Sequence, residues 1–390
     1  MILERLVLTH VRCHAALEVR FDPSLTVLLG PNGAGKTSVL EAAHLVLRGW
    51  SPRTSSLREV IAQDAEVLRV EAELVQDDGA LAFATVGYDR SGERRVGAGG
   101  APLPDFSRWE EVLPVRAFLP DHLQLVKGSP RGRRQYVDLL ATHADPLYRP
   151  GLVAYDEALR QRNFLLRTGG VNAEHGPWEA VLAREGLALA RRRAVFLAGL
   201  SARFARVHGA LTGLPPASVG LVYRTNVAGL AEEEYRSVLA EQRATDRFRS
   251  STQLGPHRDD LRFVLADRDV REYGSQGEQR TVLLALLLAE AEWLAVEGGR
   301  APLLLLDDVM SELDHERRRA LLGLLSGGGQ TVITTTTLDY FAPEELERAR
   351  VVRIGPPSTG GPGRVTRIAG AVDPPAADDT GGLMEGGPGR

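Results

Sequence analysis

Leu25-Thr26-Val27-Leu28-Leu29-Gly30-Pro31-Asn32-Gly33-Ala34-Gly35-Lys36-Thr37-Ser38 is the stretch that decides the fold. Its first five residues form a short apolar run of the buried-strand kind. Thr37–Arg48 then carries Val39, Leu40, Ala43 and Leu47 on one helical face. Between them, Gly30 to Thr37 satisfies the pattern GxxxxGK[ST] at every position, in the strand–loop–helix context the pattern needs. Glycines let successive backbone N–H groups curl around phosphates without a Cβ clash. The helix N-terminus adds partial positive charge. Lys36 is placed to reach β- and γ-phosphates, and the Thr37 hydroxyl to bind Mg²⁺. The expected ATP cradle is therefore Gly30, Pro31, Asn32, Gly33, Ala34, Gly35, Lys36, Thr37 and Ser38. Lysine is scarce: Lys36 and Lys127 stand among 47 basic residues that are otherwise arginine. A lysine where the chemistry wants one thus weighs against a chance strand–helix turn.

Far downstream, Leu303-Leu304-Leu305-Leu306 is a second buried-strand run and ends in Asp307-Asp308. Alone it also suits a core strand capped by solvated acids. Beside a phosphate loop, Asp307 takes the place of the carboxylate that holds a magnesium shell, after Thr37. Asp308 stands where ABC ATPases usually carry a water-activating glutamate, so Lys36, Asp307 and Asp308 are the expected catalytic set. Aspartate is one methylene shorter, which predicts slow hydrolysis. Ser275-Gln276-Gly277-Glu278-Gln279 opens a helix and resembles the ABC signature, whose serine and helix N-terminus serve a γ-phosphate held by a second subunit. By itself it reads equally as a Ser/Gly helix cap. Ser311-Glu312-Leu313-Asp314 resembles the ABC D-loop, with Ser311 and Asp314 as its candidate residues. Thr334–Thr337 occupies the place of a switch histidine, and no histidine is there; no Q-loop is assigned either.

These motifs imply an α/β fold, an ABC-type P-loop ATPase head built from both ends of the chain. Between them the texture turns helical, at Arg133–Leu140, Leu152–Leu166, Pro177–Leu200 and Glu232–Arg247. The expected division is 1–113 and 251–355 for the head, 114–250 for a helical lobe II insert, and 356–390 for a disordered tail rich in Gly, Pro and Asp. Arg90–Pro104, rich in glycine, reads as turn or loop. With 43% apolar and 25% charged residues, and no apolar run of the ~18–20 residues a span needs, the chain reads as a cytoplasmic protein. The single cysteine, Cys13, rules out an internal disulfide and reads as a residue without chemistry.

Thr252-Gln253-Leu254-Gly255-Pro256-His257-Arg258-Asp259-Asp260-Leu261 resembles the GPHRDDL motif of the RecF family. Phe118-Leu119-Pro120-Asp121, with Leu125, Gly128, Pro130, Arg133, Arg134 and Asp138, is similar to a second stretch of that family. VLTHVRCHAALEVRF near the N-terminus and Ser51-Pro52-Arg53 also fit, so the likeness runs from Met1 to about Ile354. The resemblance implies an ABC-type head, ATP-dependent homodimerisation, and binding to double-stranded and gapped DNA at single-strand/double-strand junctions. It also implies cooperation with RecR and RecO in loading RecA, in gap repair and the SOS response. Read from its residues, GPHRDD is either a surface loop with a local ion pair or a segment near the nucleotide or dimer seam.

A net charge of −4 leaves no global field for DNA, so contact must use a local basic surface. Arg131, Arg133 and Arg134 form one candidate cluster and Arg191, Arg192 and Arg193 another, since guanidinium forks suit phosphate oxygens. Each is also readable as a solvated helix face. The competing functions are a transport-type ATPase subunit and a scaffold whose ATP is structural.

Overall fold

Strands β1 (Ile2–Val11) and β2 (His14–Arg20) pair antiparallel, with Leu3, Leu6, Leu8 and Val11 turned into the core. β3 (Leu25–Leu29) feeds the Gly30–Gly35 loop and helix α1 (Lys36–Arg48). β4 (Val67–Val75), β5 (Leu81–Asp89), β6 (Arg94–Ala98) and β7 (Ala101–Leu103) extend the first hairpin into a six-stranded sheet of order β2-β1-β4-β5-β6-β7. The computed structural model describes residues 1–99, 101–103, 113–169, 174–297, 299–355 and 365–367.

The loop expected over Arg90–Pro104 is thus corrected to a turn followed by two strands, β6 and the edge strand β7, and Pro104 lies outside the described residues. Val96 opposite Val86 ties β6 into the sheet, and Gly97 tolerates an approach in which a Cβ would fall 2.7 Å from Thr85 Oγ1. Glycine content signals a turn locally but carries no trace of the neighbouring strand that uses it.

β8 (Val115–Phe118) belongs to the central sheet. There it pairs parallel with β12 (Leu303–Leu306), and all four of its residues are buried. The expected boundary at 114 therefore moves beyond this strand. The insert follows: α2 (Gln124–Lys127), α3 (Pro130–Ala144), α4 (Tyr148–Thr168), α5 (Gly176–Thr212), α6 (Glu232–Glu241) and α7 (Arg243–Phe248). Its own core gathers Tyr148, Tyr155, Leu182, Leu187, Tyr235 and Leu239. β9 (Val219–Arg224) pairs antiparallel with β10 (Asp260–Leu265), and β11 (Arg268–Asp269) closes that three-stranded sheet. β10 and β11 therefore share a sheet with the insert, not with the head as expected.

α8 (Val270–Tyr273) and α9 (Gln276–Glu297) lead to β12. After it come α10 (His315–Leu325), β13 (Thr331–Thr335), α11 (Pro343–Glu347) and β14 (Ala349–Ile354). The central sheet runs β14-β3-β13-β12-β8 with these strands parallel. Alternation buries both faces. Leu28, Leu303, Leu305 and Val332 join the core of α1 and the first sheet; Val27, Leu304, Leu306 and Ile333 join that of α9. Gln330 stitches the two sheets, bonding both the amide (2.8 Å) and the carbonyl (2.6 Å) of Leu3. Of the segment expected as a tail, β15 (Val365–Arg367) pairs antiparallel with β14; 356–364 and 368–390 lie outside the described residues. Among the described residues no helix is long and apolar enough to cross a membrane.

Candidate functional site

Parallel strands deliver their C-terminal ends to one edge of the sheet, where such folds bind ligands. Here β3 delivers Gly30, β12 delivers Asp307, and β13 delivers Thr334. Gly30 touches its neighbours so closely that a Cβ would sit 2.4 Å from the Ile354 carbonyl oxygen. Gly35 has φ +89°, and a Cβ there would meet His14 Nε2 at 2.2 Å. Pro31, Asn32 and Gly33 form an exposed rim; Ala34 and Ser38 are buried beneath it.

Lys36 is buried, and its Nζ donates to the carbonyls of Gly30 (2.7 Å) and Pro31 (3.0 Å). Burial lowers its pKa, partly offset by the charges of Asp308 and Asp307. Thr37 Oγ1 lies 3.0 and 2.9 Å from the two oxygens of Asp307, although 270 residues separate them in sequence. Asp307 is itself buried, which pushes its pKa up against the opposing hydrogen bonds from Thr334 and Thr37. A carboxylate short of countercharge, with a threonine hydroxyl beside it, is a hard oxygen donor set that suits Mg²⁺.

Thr334 was not singled out from sequence beyond the missing histidine. Its hydroxyl donates to Asp307 Oδ1 at 2.7 Å and accepts from the Asp308 amide at 2.9 Å. Asp308 sits in the left-handed region, φ 48°, which is uncommon outside glycine. Ser311 Oγ holds its Oδ2 at 2.8 Å, while its Oδ1 is buried without a hydrogen-bond partner. Glu41 is a second residue that sequence reading missed. It is fully buried and bonded to Arg12 (2.7 Å), Arg53 (3.2 Å) and Ser51 (2.5 Å). Burial opposes its charge, but these partners bring its pKa below the usual range.

At the head of α9, Ser275 and Glu278 form a reciprocal cap: Ser275 N donates to Glu278 Oε2 (2.7 Å) and Glu278 N to Ser275 Oγ (3.2 Å). Ser275, Gln276, Gly277 and Glu278 are exposed. Gln279 is not: its side chain is buried and donates to the carbonyls of Val270 (3.1 Å) and Gly274 (3.0 Å). Its expected ligand contact is corrected to a brace behind the loop. Arg280, the next residue, pairs with Glu312 at 2.8 Å and so ties α9 to the Ser311–Asp314 segment. Asp314 caps α10, accepting from Arg317 N at 2.9 Å.

Two of the DNA candidates are corrected outright. Arg133 is buried and forked onto Asp260 (2.8 and 3.1 Å). Arg193 is buried between Asp138 (2.6 Å) and Asp259 (3.0 Å). Each occupies the inward face of its helix, a phase that an arginine run conceals. Arg134 and Arg192 are half-buried and held by backbone, on the Asp259 and Leu147 carbonyls (both 2.7 Å). Arg131 and Arg191 alone of the six are exposed. GPHRDD is thus more than a surface loop: Gly255, Pro256 and Asp259 are buried, Arg258 is exposed, and the segment clasps α3, α4, α5 and β9 together. In it His257 Nε2 donates to the Thr252 carbonyl (2.9 Å), so Nδ1 accepts the Tyr155 hydroxyl (2.7 Å).

A family model described as an AAA domain matches residues 5–94. The DNA replication and repair protein RecF of Halalkalibacterium halodurans is 34% identical, taking in 91% of this chain and 98% of that one. Its counterpart in Heliobacterium modesticaldum is 36% identical, over 91% and 97%. A solved structure of the recombination mediator protein RecF-ATP in the RecFOR pathway overlays with a TM-score of 0.77 at 26% identity, covering 94% of this chain and 97% of that one. An Smc head bound to the C-winged helix domain of ScpA, at 15% identity, 95% and 98% coverage and a TM-score of 0.57, shares the fold.

Proposed function

The chain belongs to the RecF family, and from that premise we propose that it is an ATP-dependent DNA-binding recombination mediator, an ATPase that closes into a homodimer. The observation that carries this reading is the pair of half-sites in one chain. One is the phosphate loop with Thr37, Asp307 and Thr334 at the edge of the central sheet. The other is the exposed, serine-headed α9, pinned by Arg280–Glu312 to the segment that follows Asp308.

Lys36 and the backbone N–H groups of Gly33–Ser38 hold the β- and γ-phosphates of ATP. Lys36 then exchanges the loop carbonyls of Gly30 and Pro31 for phosphate oxygens. Thr37 and Asp307 would hold Mg²⁺, which would supply neutralisation of charge developing on the phosphates. Asp308, steadied by Ser311 and by the Thr334 hydroxyl on its amide, orients the attacking water; its reach predicts slow turnover. Ser275 and the free N–H groups of the first turn of α9 cap the triphosphate held by a second copy. Closure holds double-stranded DNA at the junctions of gaps, and hydrolysis releases it. RecR and RecO then act with it to load RecA, which the family likeness supports. Absence of a spanning helix among the described residues accords with a cytoplasmic setting.

Sedimentation tests this directly. Wild type sediments as a dimer with ATP and as a monomer with ADP, and Lys36→Ala stays monomeric in both. A wild-type chain that remains monomeric with saturating ATP overturns the reading. Binding to gapped DNA, measured with ATP, with ADP and without nucleotide, is tightest with ATP.

A further inference from the structure

A cavity of about 310 Å³ opens where α1, α3, α9 and β8 meet. Its volume lies at the lower end of small-molecule sites, roughly 300–1,000 Å³. Apolar side chains supply most of the lining, Leu283, Leu286 and Leu287 of α9 among them. Polar side chains share the wall, and two of them are firmly held. Glu290, 3% exposed, accepts Arg116 Nε on one oxygen and the Tyr136 hydroxyl (3.0 Å) on the other. His44 is buried, bonded through Nδ1 to the Trp50 carbonyl (3.0 Å), and burial lowers its pKa to about 3, so the ring is neutral. Trp50 packs edge-on against that ring at 4.4 Å and is 47% exposed, at the mouth.

Arg116 carries a donor still to be matched. It is 7% exposed, and Nη1 donates to the Val115 carbonyl at 2.9 Å, yet Nη2 is buried with no hydrogen-bond partner. A buried charged donor without an acceptor is unfavourable, and a guanidinium edge is shaped for a carboxylate. We propose that this cavity binds a small planar organic anion, an aromatic carboxylate in chemical class. The carboxylate meets Arg116 Nη2, and the ring lies on the leucines of α9 with Trp50 at its outer edge. The occupant touches the helix that leaves the phosphate loop at its last turns and the helix that leaves Ser275 at its middle turns. The site is independent of the nucleotide reading.

Calorimetric titration of the full chain with 1-naphthoate and with neutral 1-naphthylmethanol tests this. One saturable site is expected, with the acid bound at least about tenfold more tightly than the alcohol, the size of one charge-assisted hydrogen bond. Gly132 lines the cavity in α3, and a Cβ there meets nothing within 4 Å. Gly132→Met fills the space while favouring the helix, and should weaken naphthoate at least about tenfold with the thermal transition undiminished. In Arg116→Met the acid loses its advantage over the alcohol. No saturable naphthoate binding, equal binding of acid and alcohol by the unaltered chain, or unchanged binding by folded Gly132→Met overturns the proposal.

Discussion

Thr334 shows how a site residue acquires meaning from its neighbours alone. In sequence it is one of four threonines; in the sheet it is the strand-β13 residue beside Asp307, donating at 2.7 Å. The phosphate loop was legible because its chemistry is contiguous, eight residues in a row with a lysine in an arginine-rich chain. Thr37 and Asp307 were legible together as a magnesium pair from their motifs, and the fold sets the hydroxyl 2.9 and 3.0 Å from the two carboxylate oxygens. Thr334 was illegible because parallel pairing across a long connection leaves no local mark. Thr334→Val should reduce hydrolysis by about 10–100-fold, the usual range for an outer support of a metal-type carboxylate, with ATP affinity much less affected. Single-turnover rates measured beside equilibrium nucleotide binding separate the two; an equal loss in both would assign Thr334 to binding. Arg193 belongs at this scale as well. Arg193→Met strands Asp138 and Asp259 in the interior and should cost about 3–5 kcal/mol in denaturant unfolding. Arg191→Ala, on the exposed face one step before the half-buried Arg192, should stay within about 0.5 kcal/mol.

Helices α3 and α5 were readable from apolar spacing, but which of their arginines face inward was not. Three basic residues within about one helical turn spread over most of the circumference, so one of them meets the core. Only the partner, here the Asp259-Asp260 pair of GPHRDD, decides which. The same clasp carries a titration. Desolvation lowers the pKa of half-buried His257 to about 4, and that of buried His44 to about 3, from an ordinary 6.5. Both are neutral in the fold, while the unfolded chain takes up protons first as pH falls. Their contribution is intact above about 6.5 and is lost progressively as pH drops toward 4. Unfolding free energy measured from pH 7 to 4 should decline, and His257→Gln should flatten part of that slope. A slope unaltered in a folded His257→Gln chain would remove His257 from the account. Likewise β6 and β7 were hidden behind glycine-rich composition because a short strand draws its bonds from its neighbours.

At the scale of the molecule, the division into head and helical insert was legible in outline, and its seams were not. β8 looks like part of the insert in sequence order and completes the head's sheet in space. DNA binding belongs here too, since a chain of net charge −4 must rely on a small exposed basic face. The double variant Arg131→Ala/Arg191→Ala should weaken duplex binding irrespective of sequence and lessen the salt dependence, with a log–log slope smaller by about 1–2. Unchanged slopes would move the contact surface elsewhere. Finally, β3 lies between β13 and β14, so its partners on both sides are synthesised roughly 300 residues after it. At bacterial elongation rates a nascent chain carries that apolar strand with bare edges for on the order of tens of seconds, while the whole insert emerges from the ribosome. Birth of this protein therefore passes through an interval of exposure to chaperones and misassembly, which ends only when the final third of the head arrives to enclose the strand.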